Sequence, residues 1–306
     1  MSSGRLTRGS FTIMTLNTFV FGRQVDDGPD KLAKAITACD PDVVGLQELH
    51  TAPKATEKLS EMLKGQGYKY HVQGDPEIAG ARDVGVLSKY PIVGGPETAD
   101  AGLGVSVQID EESGQKVVVW VAHLAYRPYG PYIAHKGRTI GKPDEQILDE
   151  IFQGEAARAR QAQDLVGKLG ASLGSKETAP VIVVGDFNAP SHQDWVDETR
   201  KQHFDLVVEW PATKILANAG MTDSFRERHP DPVSRPGNTW SPVNPHDPQD
   251  RIDFIFYAAG NGFTLTDSYG WHSGSPKPVT DKDFRKNDWP TDHRTVVSTF
   301  QFDSRE

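Results

Sequence analysis

The chain has 306 residues, with 33 basic and 42 acidic side chains and a formal charge of −9. That length suits one large two-layer or sandwich fold. The acidic balance weighs against a partner held mainly by its phosphates, which asks for a basic face, and suits a site whose carboxylates hold a cation. Cys39 is the only cysteine, which excludes an intrachain disulfide. No apolar run is long enough for a membrane-spanning helix. Residues 1–10 carry no hydrophobic signal region. Cytoplasmic residence is therefore the default expectation, with export after removal of a signal as the alternative.

In chain order, Phe11 to Leu16 reads as a first strand ending at Asn17. A loop follows, and Pro29 opens a helix through Cys39. Asp42 to Gln47 is a second buried strand, with Glu48 at its end. A helix between two strands predicts a parallel crossover, which puts Asn17 and Glu48 at the same sheet edge. Thr56 to Gly65 reads as a helix. Tyr68 to Val72, Val84 to Ser88 and Ile92-Val93 read as short strands. Gly104 to Ile109 and Val117 to Ala122 form a predicted hairpin, with His123 next. Tyr126-Arg127-Pro128-Tyr129-Gly130-Pro131-Tyr132 reads as a stiff aromatic loop, continued by Lys136, Arg138 and Lys142. Asp144 to Leu169 has helical periodicity, with Gly154 as a potential break.

Val181-Ile182-Val183-Val184 is a run of aliphatic, mostly β-branched residues and reads as a buried strand. Gly185-Asp186-Phe187-Asn188 closes it. The spacing of two turns Asp186 and Asn188 to the same side of an extended chain. Taken alone, these residues also fit a plain turn. A helix from Pro211 to Ala219 follows, then a polar loop from Asn238 to Asp250 containing Trp240. Strands are predicted at Ile252 to Tyr257, Phe263 to Thr266 and Thr295 to Phe300. The loop from Trp271 to Pro290 leads into Thr291-Asp292-His293. With no repeat or linker, one α/β domain over residues 1–306, with its core from about residue 11 to 301, is expected, built on mixed sheets.

Six segments share one grammar, an apolar strand bordered by polar residues: Asn17, Glu48, His123, Asp186 with Asn188, Asp253, and Asp292 with His293. Each has a bland explanation as cap, surface charge or structural hydrogen bond. Their joint pattern resembles the endonuclease/exonuclease/phosphatase superfamily. The resemblance rests on Leu16-Asn17, Leu46-Gln47-Glu48, Ala122-His123-Leu124, Gly185-Asp186-Phe187-Asn188, Arg251-Ile252-Asp253-Phe254 and Thr291-Asp292-His293, in the family's order from Thr12 to Phe300.

The resemblance implies a four-layer α/β/β/α sandwich of two mixed sheets and phosphoester hydrolysis with a divalent cation. Mg²⁺ is the expected ion, with Mn²⁺ or Ca²⁺ as alternatives. Glu48 is the implied first ligand, with Asn17 and Asp292 as helpers; hard oxygen donors suit Mg²⁺. His293 is the implied general base, partnered by Asp253, with Asp250 as the rival partner. Asp186 and Asn188 are expected to position nucleophile and phosphoryl oxygens, and His123 to bind a phosphoryl oxygen or protonate the leaving group, with Asp83 as its carboxylate partner. Phe19 and His123 depart from the apurinic endonuclease branch, where an acidic residue and a tyrosine are usual. The segment after His123 is the expected specificity element, through Tyr126, Arg127, Tyr129 and Arg138. Trp195, Trp210 and Trp240 fit either packing or substrate contact. The expected substrate is a small or medium phosphate ester. Nucleic acid is a less favoured alternative, and a catalytically inactive binding protein is the alternative from another class.

Overall fold

A computed structural model describes residues 6–49, 52, 54–74, 83–173, 179–260, 263–271 and 284–305. The first part of the chain supplies β1 (Leu6–Asn17), α1 (Gly28–Cys39), β2 (Val43–Gln47), α2 (Ala55–Gly65), β3 (His71–Gln73) and β4 (Val84–Ser88). Then come β5 (Ile92–Ala99), β6 (Gly102–Gln108), β7 (Lys116–His123), α3 (Gly130–Thr139), α4 (Asp144–Leu173) and β8 (Val181–Asp186). The last part supplies α5 (Pro211–Asn218), β9 (Thr222–Asp223), α6 (Ser224–Arg228), β10 (Asp253–Ala258), β11 (Phe263–Trp271) and β12 (Thr295–Arg305).

The strands form two sheets, ordered β11-β12-β1-β2-β4-β3 and β5-β6-β7-β8-β10-β9. β1–β2 and β7–β8 are parallel, each joined by a helical crossover, while their neighbours are antiparallel. Both sheets are therefore mixed. Alternation along each strand builds the layers. Ile13, Val43, Val121, Ile182 and Val184 meet between the sheets. Met14, Val44 and Leu46 face Leu32 and Ile36 of α1 and Leu59 and Leu63 of α2. Val181, Val183, Phe254 and Phe256 face Leu165 and Leu169 of α4 and Leu216 of α5. The result is a four-layer α/β/β/α sandwich. Each central strand is buried on both faces, which is why Val181 to Val184 shows no polar alternation. Each fully buried aliphatic side chain contributes about 1.5–3 kcal/mol.

Register brings the strand ends together. Asn17 pairs with Gln47, next to Glu48. His123 pairs with Asp186, and Asp186 lies opposite Asp253. β12 begins at that same end, beside β1, directly after Asp292-His293. Gly185 has φ +156, and a Cβ there would meet the Ala122 carbonyl oxygen at 1.9 Å, so no side chain fits at this position.

Several elements differ from the sequence expectation. The stiff loop gives way to helix at Gly130, because Pro131 sits in the first turn, where its missing N–H costs nothing. α4 runs 30 residues without a break at Gly154. That glycine instead admits Pro128, whose Cγ would lie 2.9 Å from an added Cβ. β5, β11 and β12 run longer than expected, while β3 is shorter. The short β9 and α6 had no clear pattern; α6 is capped by Asp223, whose carboxylate accepts from Phe225 and Arg226 N–H. Much of the expected loop from Trp271 to Pro290, residues 272–283, lies outside the described residues.

Candidate active site

The fully buried Asn17 links the two sheets at their polar end. Its Nδ2 donates to Asp186 Oδ2 at 2.9 Å and to Glu48 Oε1 at 3.3 Å, and its Oδ1 accepts from Phe19 N–H at 2.9 Å. Glu48 leaves β2 in a left-handed conformation, φ +63, which is rare for a residue with a side chain. Its second oxygen accepts from Val20 N–H at 2.9 Å.

On the other sheet, Asp186 Oδ1 accepts from the Asn188 N–H at 2.8 Å, and Asn188 Nδ2 donates to Leu124 O at 3.0 Å. The amide thus ties the signature to the segment after His123. His123 Nδ1 is hydrogen-bonded to Asp83, and its Nε2 lies 3.6 Å from Asp186 Oδ2. Burial pushes the imidazole down, but Asp83, Asp186 and Glu48 outweigh it and raise His123 to about 9.

His293 is 4% exposed. Its Nδ1 lies 2.9 Å from Asp253 Oδ2, so the Nδ1 proton faces a carboxylate and Nε2 is left for chemistry. That Nε2 is 3.8 Å from both Asp186 Oδ2 and Asp292 Oδ1. Burial opposes the charged ring, while Asp253, Asp292 and Asp186 together hold it well above the usual histidine range. Thr239 Oγ1 fixes the Asp253 backbone by accepting its N–H at 3.1 Å. Asp250, the rival partner, faces elsewhere. It accepts from Trp195 Nε1 at 2.8 Å and from the Tyr129 hydroxyl at 3.0 Å.

The donor set fits a divalent cation. Asp186, Asp253 and His293 each bring one donor atom within 4.8 Å of the others. Asp253 Oδ1 and Asp292 Oδ1 are buried carboxylate oxygens without a hydrogen-bond partner, a state that is costly unless a positive group completes it. Burial, then Asp253, raises Asp186 to about 6. Burial, then Glu48, raises Asp292 as well. The site therefore concentrates negative charge that a cation would neutralise.

A cavity of about 570 Å³ opens over this cluster. Glu48, Asn188, Asp292 and His293 line it, together with Tyr126, Arg127 and Tyr129. Arg138 does not. It pairs with Asp144 at 2.5 Å and donates to Phe204 O at 2.5 Å and Asp205 O at 3.2 Å. The sequence reading singled out Arg138 among the cations after Tyr132, whereas the helix of α3 turns Arg138 away from the cavity and Lys136 toward it. Trp195 and Trp210 are fully buried packing residues. Trp240 lines the cavity and donates Nε1 to Asp292 Oδ2 at 3.1 Å.

Glu155 and Arg158 escaped the sequence reading. They fall on the apolar stripe of α4 that also carries Ile151, Ala162 and Leu165, and both are fully buried. Two charges on an apolar stripe were the available signal. A second cavity, about 460 Å³, lies beyond Asp250. Its guanidinium groups are already taken, Arg226 by Asp194 and Arg251 by Asp194 and Asp223.

Comparison with known proteins agrees with this architecture. The Caenorhabditis elegans protein F14F9.5 is 34% identical over 318 residues, covering 98% of this chain and 94% of that protein. The human Nocturnin catalytic domain with bound sulfate superposes with a TM-score of 0.57 at 16% identity, covering 97% of each chain. TDP2 of D. rerio complexed with a single-strand DNA product gives a TM-score of 0.54 at 18% identity, covering 95% of this chain and 99% of the other. At such identities the two structures are alike in fold. The family description that matches residues 14–293 is Endonuclease/Exonuclease/phosphatase, and the chain belongs to that family.

Proposed function

We propose that this chain hydrolyses phosphoesters with a divalent cation, and that His293 takes the proton of the attacking water. The observation that carries the reading is the His293–Asp253 pair, 2.9 Å apart, with Nε2 turned toward the gap between Asp186 and Asp292. Asp253 holds the Nδ1 proton, fixes the tautomer and supports the imidazolium that forms. Asp186, with Asn188 and Asn17 hydrogen-bonded into the same network, orients the water and the phosphoryl group. His123, held toward its charged form by Asp83, Asp186 and Glu48, donates to a phosphoryl oxygen or to the leaving group. When bound, a divalent cation supplies charge that polarises the phosphoryl oxygens and offsets the carboxylates that hold His293 protonated. Glu48 and Asp292 are the ligands favoured for Mg²⁺, a hard ion, with Asn17 in support.

For the substrate, support moves from a small ester toward nucleic acid. The aromatic wall of Tyr129, Tyr132 and Trp240 beside the cluster suits a nucleobase. TDP2, of the same fold, carries a single-strand DNA product. The test compares single-stranded DNA and RNA oligonucleotides with small phosphoesters, in Mg²⁺, Mn²⁺ and chelator. His293→Ala is expected to lower the rate on the accepted substrate by roughly 10²- to 10⁴-fold. Retention of most of the wild-type rate refutes the assignment. Tight binding without turnover of any ester supports an inactive binding protein instead.

A further inference from the structure

The cavity that holds the carboxylate and histidine cluster has a second chemistry at its mouth. Tyr129, Tyr132, Ile133 and Lys136 line it from α3 and its N-cap. Their spacing of three and four marks one helix face. Arg138, two residues further on, falls on another face and is spent on Asp144. Arg127 lines the cavity from the preceding loop, with its guanidinium 5.2 Å from the Tyr126 ring centroid. Neither the Arg127 nor the Lys136 side chain forms an ion pair or hydrogen bond among the described residues, in a chain with more acidic than basic side chains.

The loop that presents Arg127 is built rather than merely exposed. The fully buried Arg158 donates to Ala125 O and Pro128 O, each at 2.6 Å, and is held by the equally buried Glu155. Gln161 accepts the Ala125 N–H at 2.8 Å. The wall beside it is equally fixed, with the Tyr129 hydroxyl on Asp250 and the Tyr132 hydroxyl on Asp247 at 2.8 Å. Tyr126 stands 64% exposed and lines the same cavity.

We infer that Arg127 and Lys136 form a subsite for a second phosphate of the substrate, next to an aromatic seat for a flat ring. The substrate is then a nucleotide unit that carries a phosphate besides the one cleaved. This rests on the phosphoester hydrolysis proposed above. Guanidinium and ammonium groups bind phosphate through charge-assisted hydrogen bonds, and rings stack on tyrosine without regard to base identity. Such a unit occurs in a free nucleoside bisphosphate and in a nucleic-acid strand.

Two matched substrate pairs separate those sources: adenosine 3′,5′-bisphosphate against adenosine 5′-monophosphate, and pTpT against TpT. The readout is the ratio of kcat/KM with and without the extra phosphate, for wild type, the Arg127→Gln/Lys136→Gln double variant, and Arg138→Gln. A wild-type preference for the extra phosphate is expected, lowered roughly ten- to a hundredfold in the double variant and kept in Arg138→Gln. The pair that shows it names the source. A wild-type ratio near one, an unchanged ratio in the double variant, or an equal loss in Arg138→Gln overturns the inference. Should wild type hydrolyse none of the four, the hydrolase reading fails for nucleotide substrates. Calorimetric binding of adenosine 3′,5′-bisphosphate and pTpT then decides the subsite: binding weakened by the double variant supports it, and unaffected or absent binding overturns it.

Discussion

Replacing Asp253 by Asn separates what the site needs for catalysis from what the fold needs for stability. The substitution keeps the shape but removes the charge that faces His293 Nδ1 at 2.9 Å. Without that charge the imidazolium loses its nearest support, and the amide is free to present its NH₂ to Nδ1 and favour the wrong tautomer. A loss of about 10²- to 10⁴-fold in kcat is expected. Stability should change far less. Asp186 lies opposite Asp253 in the sheet and titrates at about 6 instead of near 3.8, with burial as the first cause and Asp253 as the second. That displacement corresponds to about 3 kcal/mol against the Asp186 carboxylate. Neutralising Asp253 relieves part of that repulsion but also removes the carboxylate that holds the buried His293 charged, so the two effects oppose and Tm in chelator is expected to stay within about 2 °C of wild type. The assay pairs turnover in Mg²⁺ with thermal unfolding at pH 8 in chelator. A variant that keeps a third or more of the wild-type rate, or loses several degrees of Tm in chelator, refutes the reasoning.

Further expectations concern the metal, the wall and the loop clamp. Glu48→Gln is expected to raise the Mg²⁺ concentration for half-maximal activity at least about tenfold, and an unchanged Mg²⁺ titration refutes Glu48 as a ligand. Asp250 is raised to about 7 by burial, against hydrogen bonds from Trp195 and Tyr129 that lower it. A carboxyl whose folded pKa lies above its unfolded value stabilises fully below the unfolded value, so this contribution fades between about pH 4 and pH 7 and is flat above. Asp250→Asn should flatten the Tm–pH profile across that window; a profile parallel to wild type counts against it. Arg158→Met leaves Glu155 buried and unpaired and should cost about 3–5 kcal/mol by denaturant unfolding. Replacing both with Met should recover much of that stability yet leave the carbonyls of Ala125 and Pro128 unclamped, raising KM. A double variant with both stability and KM like wild type shows the clamp to be dispensable.

The strands that carry the site were legible because their apolar runs stop abruptly at polar residues. The β1–α1–β2 crossover predicted the shared edge of Asn17 and Glu48, which the parallel pairing of β1 and β2 has. Local composition misled where proline and glycine were read as loop. Pro131 in a first helical turn looks the same in sequence as Pro in a stiff loop, so α3 was missed, and with it the difference between Lys136 and Arg138.

The sequence by itself determined a single α/β domain on mixed sheets and a set of polar residues bordering its strands, because burial on both strand faces and helical crossovers leave a local imprint on residue type; the four-layer sandwich was implied by the family resemblance of its motifs. Which of those residues touch depends on register and on contacts between distant segments, and these leave none. Asp253 and Asp250 are three residues apart and chemically identical. Only the pairing of β10 with β8 sets Asp253 beside Asp186 and His293 and leaves Asp250 to Trp195 and Tyr129. The clamp of Arg158 on Ala125 and Pro128 spans about thirty residues, and it too exists only once α4 has packed beneath the loop.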